Sequence, residues 1–263
     1  MPYSLLSRFQ GGLGGSAVGG SLHPLDPDWL QWDQVQTAVL SRLLESPIFP
    51  SDAEFLPLFP LNSSPPSASW LSGLALGLLP LLLWEYEAQP RLPEIVTIFA
   101  LSDDDLAWLS MWAIALHRGL GGQLPDLTQW RQLAHTDPPL QPLTEAIAPH
   151  QPALPFALHC VASTPEDPQI SIHRAQHHSP LAAALTASLM GIYHGVTITL
   201  TPSRQDGASQ LFARWAGQDN AVEPGQALAL APGGLLSPHR PRPLVSQASR
   251  YFPPSHPSTP ADL

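Results

Sequence analysis

The stretch Gln176–Gly195, QHHSPLAAALTASLMGIYHG, decides the fold class. Ser179 can cap a helix, and Pro180 suits a first helical position, where no N–H is needed. Leu181, Leu185 and Leu189 then recur at fourfold spacing and form one apolar stripe. Ala184, Ala187, Ser188 and Gly191 are small enough to let a neighbouring helix approach closely. The pattern predicts a helix over Pro180–His194.

Outward from this stretch the same period returns. Val35, Val39 and Leu43 place a helix at about Leu30–Glu45. Trp70–Glu87 reads as a further, strongly apolar helix. Its core, WLSGLALGLLPLLLW, is shorter than the roughly 20 residues of a membrane span, and Pro80 interrupts it. A buried core helix without membrane insertion follows. Leu106, Leu109, Ala113 and Leu116 continue a helix opened by Ser102-Asp-Asp-Asp105. Leu127–His135, Leu143–Ala148, Ala153–Ala162 and Ser209–Ala216 add shorter helices. Val196–Leu200 is the only β-branched run, so the fold class is all-α with at most a trivial sheet.

Past about Asn220 prolines recur too densely for helices or paired strands. The expected division is a helical domain over 1–219 and an extended, Pro-rich tail over 220–263. Deleting the residues after Ser237 is expected to shift stability by no more than about 1 kcal/mol.

Composition removes several functions. The chain has 44% hydrophobic and 12% charged residues, enough to fold around one core. A net charge of −10 without a basic run disfavours nucleic acid. All eleven cationic side chains are Arg, so a Walker-type phosphate loop and a Schiff-base mechanism lack their amine. The single Cys160 cannot form an intramolecular disulfide and reads as a buried structural residue. With no signal-like segment at the N-terminus, the expected location is cytoplasmic.

Three motifs invite chemistry. Gly12-Leu-Gly-Gly-Ser-Ala17 fits the relaxed dinucleotide fingerprint, but no strand precedes it, so close helix packing is the better reading. Asp103 and Asp104 could ligate a metal. Ser102 with Asp105 reads instead as a capping box, and acids in a first turn suit the helix dipole. His173 and His177 share a face if their stretch is helical and could begin a transition-metal site, with no third ligand evident.

Two segments carry a family resemblance. Phe9–His23, FQGGLGGSAVGGSLH, resembles the opening of ADP-ribosylglycohydrolases: Phe-Arg-Gly, a small or apolar run, then Ala-Val-Gly-Asp-Ala-Leu-Gly. Phe9, Gly11, Leu13, Gly15, Ala17, Val18, Gly19 and Leu22 fit, while the family's aspartate falls on Gly20. Gln176–Gly195 is similar to the family's later signature, Gly-Gly-Asp-x-Asp-Thr entering a small-residue helix. Its two metal-binding aspartates fall on His178 and Pro180, and its threonine on Leu181. The Thr-Asp-Asp-Thr motif should open the helix near Leu30–Asp33, where Asp33 is the one carboxylate left.

The resemblance implies a helical bundle of the ADP-ribosylglycohydrolase type. It also implies a hydrolase ancestry using two divalent cations, Mg²⁺ above all, at a glycosidic bond. Hard cations need oxygen ligands, and Gly, His and Pro supply almost none. The expected protein is therefore a non-catalytic module that binds a protein or a small-molecule ligand, with no catalytic residue and no cofactor. Its ligand-cleft candidates are Gly20, Asp33, His177 and His178. The weaker metal candidates are Asp33, Asp103, Asp104 and His178. One alternative is an active metal-dependent hydrolase of ADP-ribosyl or related bonds, using Mg²⁺ and ligands such as Asp33, His177 and His178. A second is a structural or assembly factor acting through the Pro-rich tail.

Overall fold

Glycine is a poor helix former, costing roughly 1 kcal/mol against Ala at each position, yet the glycine-rich opening is helical. Ser4 starts it by accepting from the Ser7 N–H at 3.1 Å, and α1 runs over Leu5–Ser21. The compensation comes from α9, Pro180–His194, which lies antiparallel against it. Gly11 sits on Gly191, Gly15 on Ala187 and Gly19 on Ala183, so each step of four along α1 meets a step of four back along α9. A Cβ on any of these three α1 glycines would run into α9 backbone. Ser188 Oγ, within the same seam, donates to Gly12 O at 3.0 Å.

The computed structural model describes residues 3–22, 26–45, 52–60, 68–84, 96, 99, 101–123, 125–126, 152–195 and 202–216. Between α1 and α9 come α2 (Pro27–Glu45), the short α3 (Asp52–Phe55) with a 3₁₀ turn at Leu56–Leu58, α4 (Ala68–Gly77) and α5 (Leu79–Trp84). Then follow α6 (Asp103–Leu120), α7 (Ala153–Ser163) and α8 (Pro168–Gln176); α10 (Pro202–Trp215) comes last. Among the described residues there is no strand, and no helix is long and apolar enough to cross a membrane.

The core is organised around α9, whose residues from Leu181 to Tyr193 are all buried. It contacts α1, α4, α6, α7 and α8, while α2 packs on α4 and α10 closes against α1. Phe9 meets Phe212 edge-on at 5.4 Å and Trp215 at 5.7 Å, fixing that last contact. At the other end of the chain's reach, Gly195 stops α9 with φ +63°, where a side chain would be strained and would also strike Tyr3 and Ser7.

The helices expected at 30–45, 103–118, 153–162 and 180–194 are present, α2 beginning earlier because Asp26 Oδ1 accepts the Trp29 N–H at 2.8 Å. The helix expected as one piece over Trp70–Glu87 is instead two. Pro80 has no N–H for Leu76 O, so the helical ladder is interrupted at Leu78 between α4 and α5, although Leu78 N–H still reaches Leu74 O and Leu82 N–H reaches Leu78 O. Gln36 of α2 supplies the missing donor: its Nε2 lies 3.1 Å from Leu76 O. Its Oε1 in turn accepts from Ser16 of α1 at 2.9 Å, so one buried amide ties three helices. The expectations for Leu127–His135, Leu143–Ala148, Val196–Leu200 and the tail from 220 lie outside the described residues.

Candidate functional site

Antiparallel packing brings the C-terminal end of α1 to the first turn of α9, with Gly19 against Ala183 and Ala184. Gly20 and the 178–180 corner therefore lie at the same end of the seam, although about 160 residues separate them in the chain. This is where the two motif segments converge. Ser179 caps α9, accepting from Ala182 N–H at 3.1 Å, and Pro180 occupies the first helical position.

The space above Gly20 is filled. Trp29, in the first turn of α2 and only 5% exposed, lays its indole on the Gly20 Cα, and a Cβ there would overlap the ring. Trp32, one turn on, does the same to Gly73 of α4. Its ring stands edge-on to Trp70 at 6.2 Å, and Trp70 to Phe99 at 5.3 Å. At both glycines a large aromatic face therefore lies directly on bare helix backbone.

Asp33 is half-buried on α2 directly after Trp32, its backbone carbonyl accepting from Thr37 Oγ1 at 2.7 Å. His178 stacks on Phe156 of α7 with ring centroids 4.3 Å apart, its Nδ1 lying 3.4 Å from Ser179 Oγ. His177 is exposed at the end of α8, its ring edge-on to His173. Asp103 and Asp104 are exposed in the first turn of α6. Asp105 completes the capping box, with its N–H on Ser102 Oγ at 3.2 Å and its carboxylate accepting the Ser102 backbone N–H at 3.4 Å. Among the described residues no three of His, Cys, Asp and Glu gather as metal ligands would. The dinucleotide-like stretch Gly12–Ala17 lies inside α1, where helix bonding uses the N–H groups that a phosphate would need.

Two buried groups are shifted. Burial pushes the Cys160 thiol up to about 11, with Arg174 pulling weakly the other way. A thiol held protonated is no nucleophile. Burial also raises Tyr193 above its ordinary range, with Arg8 and Arg118 opposing, and its hydroxyl donates to Ala115 O at 3.0 Å.

Sequence reasoning did not single out Trp29, Gln36 or Arg8. Arg8 is buried, and its Nη1 donates to Gly119 O at 2.6 Å and Ile192 O at 3.0 Å, bridging the C-terminal ends of α6 and α9. A cation suits the negative ends of two helices. No signal in a single sequence identifies such a partner, because both acceptors are backbone atoms far along the chain. No protein-family model matches the chain, and no curated protein or solved structure matches it.

Proposed function

We propose that this chain is an ADP-ribosylglycohydrolase-like protein that has lost catalysis and serves as a ligand- or partner-binding module. The observation that carries the reading is the Trp29 indole seated on Gly20. The position matching the family's aspartate has neither a carboxylate nor room for one. The neighbouring positions agree: His178 is stacked on Phe156, and Pro180 has no donor atom. Two close divalent ions repel each other strongly in a partly dry cleft and need surrounding carboxylates. Asp33 alone does not meet that need.

The convergence of Gly20 with residues 178–180 supports the ancestry, since the segments resembling the family's metal motifs lie at one end of one helix pair. The test is to supply Mg²⁺ or Mn²⁺ and assay ADP-ribosylated arginine, serine and related substrates. No turnover is expected. Metal-dependent turnover that is lost in His178→Ala or Asp33→Ala would instead establish an enzyme with a rebuilt site. Calorimetric titration with ADP-ribose separates a ligand-binding module from a structural or assembly factor, which would give no heat of binding.

A further inference from the structure

α8 lies on the surface and buries only Ser171 and Ala175. Its last turn carries His173, and its C-cap is His177, four residues on and so on the same face. The two rings meet edge to face with centroids 4.6 Å apart at 79°, and both side chains are exposed. The histidines nearby are committed elsewhere: His178 to the Phe156 face, and His194 with its Nε2 2.7 Å from Pro165 O. His173 and His177 have only each other among the described residues.

We infer that His173 and His177 form a two-imidazole clamp for a first-row transition cation of the class that prefers nitrogen, Cu²⁺ foremost, then Ni²⁺ and Zn²⁺. This inference is independent of the glycohydrolase reading, whose ions are hard and oxygen-bound. Residues at i and i+4 on a helix have Cβ atoms roughly 5–6 Å apart. That separation lets one nitrogen of each ring reach a single ion at about 2.0–2.1 Å once the rings turn from edge-to-face toward a common point. The ion would sit at the C-terminal end of α8, where the helix dipole favours positive charge. The one cation between the two histidines, Arg174, is drawn away toward α7, donating from Nη1 to Ser163 Oγ at 2.9 Å. Water completes the coordination.

The experiment titrates the full chain with Cu²⁺, following heat and the electron paramagnetic resonance spectrum. Uptake of one tightly held ion with hyperfine coupling to two nitrogens is expected. His173→Ala and His177→Ala should each weaken it at least about tenfold, because the second imidazole binds at a high effective concentration. Both positions are exposed, so the variants should keep the wild-type circular dichroism. The inference is overturned if no saturable uptake occurs. It is equally overturned if the double variant His173→Ala/His177→Ala keeps the wild-type affinity and spectrum.

Discussion

Cys160 and Trp29 mark how differently single residues could be read. Cys160 was legible from composition, since a lone cysteine in an apolar helix packs as a small hydrophobe, and it is fully buried in α7. Its burial has a consequence at high pH. The unfolded thiol titrates at its ordinary 9.0 and the folded one at about 11, so between these values the unfolded chain holds fewer protons. Folding stability must therefore fall as pH rises through that window, and well below pH 9 the group contributes no slope. Tyr193, raised by burial from 10.0, adds a loss of the same sign above pH 10. Urea midpoints should decline from pH 9 upward, and Cys160→Ala should flatten the part between 9 and 10, whatever it does to absolute stability. An unchanged slope in that variant would assign the loss to other groups. Trp29 was not legible as a plug. Its partner, Gly20, lies in another helix, and nothing in the spacing of Trp29 and Trp32 says which glycine each will cover.

At the scale of elements, periodicity and capping chemistry located the helices well where both were strong. Ser102 and Asp105 announced α6, and Ser179-Pro180 announced α9. The α4–α5 break was half legible: Pro80 signals an interruption, but the apolar run on either side reads as continuous. α8 was legible only conditionally because it is a polar surface helix with two small buried residues. What no local pattern could supply is Gln36, which stands in for the N–H that Pro80 lacks. Gln36→Ala should cost about 1–3 kcal/mol, since it leaves the buried Leu76 carbonyl short of a donor, while the Ser16 hydroxyl keeps its bond to Leu13 O at 2.7 Å. Pro80→Ala restores an N–H able to bond Leu76 O, so the same Gln36→Ala change should cost less in that background. Denaturant unfolding of the four proteins in a double-mutant cycle checks this. Purely additive losses would mean that Gln36 does not stand in for the N–H that Pro80 lacks.

For the whole molecule, the decisive contact joins α1 to α9, so most of the chain must be present before the core can close. Small residues suited to close packing were visible in the sequence within Gly12–Ala17 and at Ala184, Ala187, Ser188 and Gly191, whereas the seam itself sets Gly11, Gly15 and Gly19 on Gly191, Ala187 and Ala183. That pairing was not visible, because a stripe permits a close neighbour without naming it. A helix buried on all sides, as α9 is from Leu181 to Tyr193, gives up its entire apolar surface on folding. Without it, α1 would expose a glycine face whose helical form depends on that packing. A chain ending at Ser179 should thus lose cooperative unfolding altogether, with α1 no longer helical. A chain ending at Ala216 keeps α9 and α10, including the Phe9–Phe212 and Phe9–Trp215 contacts. It should melt within a few degrees of the full chain, and a chain ending at Ser237 should lose no more than about 1 kcal/mol. Thermal melts followed by far-UV circular dichroism distinguish the outcomes. A cooperative melt in the Ser179 chain would show that the core closes without α9. A large drop in the Ala216 chain would show that residues beyond 216 form part of the core.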